Sequence, residues 1–363
     1  MLDQSGPRLR SLDAFRGLAV AAMIVVNSPG SGMAVYPALV HSAWHGWTFA
    51  DTIFPAFLWV VGLSMTIATA GKLQRGATQG ELLRHAFRRA VMLFCCGLFI
   101  DNFPAFDVTA IQLTGVLQKI AACYLIAFAI YLFTNWRGQI AAIVMLNAAY
   151  LGIMILVSVP GCTSGPWDVE CNVARYANES LLHGHTWHSE ELNDPDGLVT
   201  VLPATATVLF GILTGQLLRI ESARRSVTLI LLGSGGILVV AGQALANWIP
   251  INKILWTSSY ALFMAGVSAV VFGVLYWCID IRKSCRWLRP MEVLGMNALT
   301  AYLLSRIICN VFKIHVRGFS LYADVLERVT TAPNASLLFA LTNVVAVYCA
   351  AWYMHRRRWF VRL

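Results

Sequence analysis

Charge is scarce in this chain. Of 363 residues, 12% are Asp, Glu, Lys or Arg and 58% are hydrophobic. Soluble domains carry about 25% charged residues, which excludes a pair of ordinary soluble domains of this total length. Other signatures are missing as well. There is no Walker loop, Gly-x-Gly-x-x-Gly fingerprint, Gly-x-Ser-x-Gly elbow or zinc-binding helix, so the common phosphate-loop, dinucleotide, hydrolase and zinc-protease readings have no support. No internal repeat is visible, which argues against an inverted-repeat transporter. The ten-residue alternation of a membrane barrel is also absent. No small-residue cleavage site follows the first apolar stretch, which is therefore read as a span and not as a cleaved signal.

Long apolar runs are what the chain has in abundance, with a mean hydropathy of +0.65. A helix needs about 20 such residues to cross a bilayer. Candidate spans run through 18–33, 48–70, 87–103, 111–133, 139–159, 198–218, 227–249, 254–279, 291–313 and 335–354. Only helices and closed barrels satisfy their backbone hydrogen bonds in lipid. The expected fold is therefore all-α: one polytopic bundle of about ten transmembrane helices over 1–363, with one long loop at about 160–197.

Orientation follows from Lys and Arg. One set of span ends holds Arg8, Arg10 and Arg16, then Lys72, Arg75, Arg84, Arg88, Arg89 and Arg137. The same set continues with Arg219, Arg224, Arg225, Arg282, Lys283, Arg286 and Arg289, and closes with Arg356, Arg357, Arg358 and Arg362. Twenty of the 27 basic residues thus lie on one side, which places both termini in the cytoplasm. The net charge of +9 reflects this topology and anionic lipid, not nucleic-acid binding. A multi-pass protein of a bacterial inner membrane is the expected setting, and a homodimer stays open.

The long loop then lies outside the cytoplasm. It holds Cys162 and Cys171, while the other seven cysteines lie in or beside spans. The loop pair could be a disulfide in an oxidising compartment or two reduced thiols. His183, His185 and His188 also fall here, but no carboxylate or thiolate stands at ligand spacing from them, so no metal is expected.

Polar groups near spans are costly, and they mark where chemistry could sit. Asn27 closes the first span, His41 and His45 flank Trp44 before the second, and Asp51 follows one turn inside it. Imidazole takes a proton near neutral pH, and Asn can orient it or bind an oxyanion. Interfacial histidines beside an aromatic belt of Trp44 and Trp47 are the competing reading. Asp194 and Asp196, in Asp-Pro-Asp-Gly, could line a site or simply make a turn. Asn252, Lys253 and Trp256 suit a carbohydrate or interfacial anchoring equally well. On the cytoplasmic side, Ser11 or Asp13 could cap the first helix, and Arg10 and Arg16 are either topological or anion-binding. Lys119 and Arg306 sit near lipid depth and need partners.

Taken in order, several stretches resemble the heparan-α-glucosaminide N-acetyltransferase family and its bacterial relatives. They are Arg8–Gly17, Val26-Asn27, His41–Gly46, Phe49–Pro55 and Gly115–Lys119, followed by Val159–Cys162, Asp194–Gly197, Asn252–Trp256 and Gly295–Asn297. The resemblance implies an integral-membrane transferase that takes acetyl from cytosolic acetyl-CoA and delivers it to an amino sugar or glycan across the membrane. It implies that His41 is catalytic, as general base or transient acyl carrier, with Asn27 beside it. Expected acceptor contacts are Trp44, His45, Asp51, Asp194, Asp196, Asn252, Lys253, Trp256 and Asn297. Expected donor contacts are Arg10, Asp13, Arg16 and Lys119. The heparan-acting member has Asn at the place of His45, and this chain lacks the animal enzyme's large extracytoplasmic domain. Heparan itself is therefore not the expected acceptor. An amino-sugar transporter is the alternative function, because some bacterial relatives are linked to uptake.

Overall fold

A computed structural model describes residues 9–103, 111–182, 185–186, 194–220, 224–313 and 321–361. Among these the protein is helical, with no strand. The helices are α1 (Arg10–Asn27), α2 (Phe49–Leu73), α3 (Gln79–Asn102), α4 (Val116–Phe133), α5 (Trp136–Leu156), α6 (Val173–Leu182) and α7 (Val201–Ile220). They continue with α8 (Arg224–Leu245), α9 (Ser258–Tyr276), α10 (Arg289–Met296), α11 (Ala298–Lys313), the single turn α12 (Glu327–Val329) and α13 (Ala332–Arg356).

Seven segments are long and apolar enough to cross a membrane: α2, α4, α5, α7, α8, α13, and α9 with the π turn Trp277–Ile281 that extends it. An eighth is reached if the bent pair around α10 and α11 counts as one span. The expectation was ten. α1 carries Arg10, Asp13 and Arg16, and α3 carries Arg88, Arg89 and Asp101 within its apolar part, so neither passes on composition. The expected single span over 291–313 is instead broken at Asn297, where the two segments bend by 81°. α1 also starts eight residues before its expected span and ends at Asn27, because Pro29 cannot continue a helix. The start of α3 at Gln79 likewise precedes its apolar run. Thr78 and Glu81 form a reciprocal capping box there, with Thr78 N donating to Glu81 Oε2 at 2.8 Å.

The described residues fall into two compact units, and the chain changes unit on either side of segment 43–46 and again inside α2 and α9. In one unit (43–46 and 58–270), α4 and α5 pack on α7, and α3 packs on α4. Small residues set the closest crossing. A Cβ on Gly62 would lie 2.0 Å from Val208 O, and one on Gly211 would lie 1.9 Å from Trp59 O, so α2 and α7 touch backbone to backbone. Tyr150, Met154, Val173, Ala174 and Leu255 form a buried cluster in which Tyr150 Oη donates to Leu255 O at 2.9 Å.

In the other unit (9–42, 47–57 and 271–361), α1 packs against α10 and α13. Val20, Ile24, Leu294, Ala301, Val347 and Ala351 make its core. Gly17 and Gly295 set the crossing of α1 and α10. Neither Ser11 nor Asp13 caps α1, since both lie inside the helix and the N-cap Leu9 has no side chain to do so. The cap comes from Asp280, whose carboxylate accepts the amides of Arg10 (3.3 Å) and Ser11 (3.0 Å). A negative group there satisfies otherwise orphaned N–H donors and faces the positive end of the helix.

Candidate active site

Two groups of polar side chains stand out, one in each unit. The first is built on the opening turn of α2. Asp51 has a side chain that is 1% exposed, and donors surround its carboxylate. Oδ2 accepts from Ser42 N at 3.0 Å, Thr48 N at 2.9 Å and Thr48 Oγ1 at 3.2 Å. Oδ1 lies 2.8 Å from His41 Nδ1. A carboxylate held by donors at a helix N-terminus is an acceptor. The imidazole must then carry its proton on Nδ1 and its lone pair on Nε2. The ring is 45% exposed, so the basic nitrogen belongs to a group within reach of a ligand. Asp51, expected as a substrate contact, lies in hydrogen-bond contact with His41. The signal was present in the sequence as a His and an Asp ten residues apart across the entry to a helix.

Asn27, the last residue of α1, lies in the same unit and is half-buried. It is not hydrogen-bonded to His41 or Asp51 among the described residues. Its neighbour Ser28 is 1% exposed and is anchored by Asn343 Nδ2 of α13 at 3.0 Å. Asn343 was not singled out from the sequence, because an Asn in the middle of an apolar helix has no local motif around it.

Three of the four residues expected to hold the donor, Arg10, Asp13 and Arg16, are already partnered in this unit. Arg10 makes a two-pronged bond to Glu292, at 3.0 Å from Nε and 2.7 Å from Nη2. Arg16 Nη1 lies 3.4 Å from Asp13 Oδ1. Asn297, an expected acceptor contact, is 2% exposed and uses both ends of its amide on the chain's own tail. Its Nδ2 donates to Trp359 O at 3.1 Å and its Oδ1 accepts from Val361 N at 3.1 Å.

The second group lies in the other unit and gathers residues far apart in sequence. Trp44 Nε1 donates to Trp167 O at 2.8 Å, and Gly46 N donates to Ile251 O at 2.8 Å. These bonds tie segment 43–46 to the loop at Trp167 and to the turn before α9. There His45 Nδ1 lies 3.4 Å from Asn252 Nδ2, and burial pushes the imidazole below its ordinary range. Asn252 is fully buried and ties the turn by accepting from Leu255 N at 2.9 Å. Trp256 is also fully buried and takes a positive φ of 49°, a conformation costly for a bulky residue. Its Nε1 donates to Thr207 Oγ1 at 3.3 Å.

Lys119 stands at the centre of this group. Its Nζ lies 4.1 Å from the centroid of the Trp256 ring and donates to Pro195 O (2.7 Å) and Thr200 Oγ1 (2.9 Å). The structure thus groups Lys119, expected among the donor contacts, with the expected acceptor contacts. Asp194 accepts from the hydroxyl of Thr114 and from Asp196 N. Asp196 Oδ1 is sealed from solvent with no hydrogen-bond partner among the described residues. Burial raises the Asp196 carboxyl to about 6, and the positive charges of Lys119 and Lys253 limit the rise. Thr114, Thr200 and Thr207 were not legible as site residues, since each lies within or beside an apolar run and is identified only by its partner.

The structure joins Cys162 and Cys171 by a disulfide, with Cα atoms 5.6 Å apart. His183 and His188 lie outside the described residues. His185 sits 2.8 Å from Ile111 O through Nδ1. Among the described residues no three His, Cys, Asp or Glu side chains are grouped to hold a metal ion.

These features define a multi-pass, all-helical membrane protein with an oriented His–Asp pair at the start of one span. Residues 8–249 match the model of the catalytic region of heparan-alpha-glucosaminide N-acetyltransferase, and the chain belongs to that family. The human heparan-alpha-glucosaminide N-acetyltransferase is 27% identical over 361 residues, covering 84% of this chain and 54% of the human protein. The mouse protein of the same name is 26% identical, covering 85% of this chain and 55% of the mouse protein. The chain therefore spans about half the length of these relatives. The matched region includes Asn27, His41, Asp51, Lys119, Asp194 and Asp196, and it ends just before Asn252.

Proposed function

We propose that this protein is a transmembrane acetyltransferase. It takes acetyl from acetyl-CoA on the cytoplasmic side and places it on the amine or a hydroxyl of an extracytoplasmic amino sugar or glycan. The observation that carries this reading is the 2.8 Å approach of His41 Nδ1 to Asp51 Oδ1, within a region that matches an acetyltransferase catalytic model. Asp51 keeps the Nδ1 tautomer and stabilises the imidazolium that forms when Nε2 takes a proton. Nε2 can deprotonate the attacking amine or hydroxyl, or attack the thioester carbonyl itself and carry the acyl group. In either route the C–S bond breaks and CoA leaves as its thiol. Asn27 supplies an amide to orient the imidazole or bind the carbonyl oxygen as charge develops.

The buried group around Lys119 is assigned to the acceptor. Asp194, Asp196, Asn252, Lys253 and Trp256 combine carboxylates, an amide and an indole, the set that hydrogen-bonds sugar hydroxyls and packs on a sugar face. The basic ends of the spans support placing that side in the cytoplasm, and an inner membrane is the setting this reading takes. The buried Lys119 of α4 also favours a second reading, since charged groups at membrane depth mark ion and substrate paths in transporters. Sealed vesicles separate the two. With labelled acetyl-CoA inside and amino sugars outside, labelled N- or O-acetyl product outside, without sugar uptake, supports the transferase. Sugar accumulating inside with no acetyl transfer overturns it in favour of transport.

A further inference from the structure

At the basic ends of α2 and α3, in the unit that holds residues 58–270, lies a small recess of about 20 Å³. Its polar walls are Lys72 and Thr69 of α2 and His85 and Arg89 of α3, and its apolar walls include Met65, Leu82 and Phe128. No carboxylate lines it. Glu81, the acid in the first turn of α3, is held by its capping box with Thr78.

Arginines placed only by topology extend into water. Arg89 does not. Its guanidinium carbon lies 4.9 Å from the centroid of the Tyr124 ring, which also lines the recess. Its Nε is sealed from solvent and has no hydrogen-bond partner among the described residues. A buried, oriented guanidinium donor with no acceptor costs free energy unless something else fills the site. Lys72 adds a second cation, and Arg84 and Arg88 lie on the same helix. An anion with several acceptor oxygens matches this set, since a fork and a point charge together hold phosphate.

We propose that Lys72, His85 and Arg89 form a binding site for a phosphate group, separate from the His41–Asp51 pair. The phosphate can come from the headgroup of an anionic phospholipid, since the site lies at the end of α2, a helix apolar enough to cross a membrane. It can also come from a soluble phosphate compound. This inference does not depend on the acetyltransferase reading.

The test uses full-length protein in phosphatidylcholine nanodiscs, read by thermal shift and native mass spectrometry. One arm adds increasing phosphatidylglycerol to the disc. The other adds inorganic phosphate in solution. Saturable binding is expected in at least one arm, and the arm that responds identifies the source. Arg89→Gln and Lys72→Gln should each weaken it about ten-fold, the loss of one charge-assisted contact. Arg89→Lys should restore only part of it, and Arg84→Gln, whose side chain does not line the recess, should leave it unchanged. If Arg89→Gln does not fold, Lys72→Gln and Arg89→Lys carry the test. No saturable binding in either arm, Gln variants that bind as wild type, or an equal loss in Arg84→Gln would overturn the site.

Discussion

His41 Nδ1 stands 2.8 Å from Asp51 Oδ1, and the other oxygen of that carboxylate is held by two backbone amides and a threonine hydroxyl. Asp51 is therefore fixed before the imidazole reaches it. The imidazole, 45% exposed, inherits its orientation from a side chain that is 1% exposed.

This relationship predicts two different kinetic defects. His41→Ala removes the base and should lower turnover by ~10²–10⁴-fold, with donor affinity unchanged. Asp51→Asn should lower it within the same range, because an amide in that place can stabilise the wrong tautomer and no longer balances an imidazolium. Steady-state acetyl transfer alongside calorimetric acetyl-CoA binding distinguishes the two from misfolding. Full turnover in either variant would remove the dyad from the mechanism.

Asp196 predicts a pH dependence. Its carboxyl is raised from 3.8 to about 6 by burial, so between those values the folded protein holds a proton that the unfolded chain has released. Stability should fall as pH rises from about 4 to about 6 and then level off, by up to about 3 kcal/mol. Asp196→Asn should flatten this slope in thermal melts at fixed detergent. If the ionised carboxylate holds the acceptor's ammonium, acceptor KM should rise as pH falls through about 6 in the wild type. The Asn variant should have a high KM at every pH. A wild-type KM that is flat across this range would separate Asp196 from acceptor binding.

The α1–α10 crossing predicts unusual sensitivity to single methyl groups. A Cβ on Gly17 would lie 1.8 Å from Met291 O, and one on Gly295 would lie 1.9 Å from Asp13 O. Both neighbours are backbone and cannot swing aside, so the helices must part. Gly17→Ala or Gly295→Ala should cost about 1–3 kcal/mol or more. A Cβ on Gly236 meets nothing within 4 Å, so Gly236→Ala is the control. Melting temperatures of the three variants check this, and equal values would refute the crossing.

Much of the protein is legible in the amino-acid order because it depends on local chemistry. Low charge and long apolar runs identify a multi-pass helical membrane protein, since lipid admits few other backbone solutions. The ordered motifs identify the family, and they place Asn27, His41 and Asp51 between the end of α1 and the first turn of α2. Other properties depend on partners that no local pattern names. Asp280 caps a helix whose first residue lies 270 positions away. Asn297 breaks an apolar run that reads as one span, because Gly295 lets α10 close on the backbone of α1 and the amide of Asn297 then binds the tail. Lys119 reads as an isolated cation in an apolar helix, and only packing brings Pro195, Thr200 and Trp256 around it. Side-chain chemistry and periodicity determined the solvent this chain lives in and the residues that could react. Which buried charge meets which acceptor was decided by tertiary structure, because pairing away from water depends on distance in space, and sequence separation does not encode that distance.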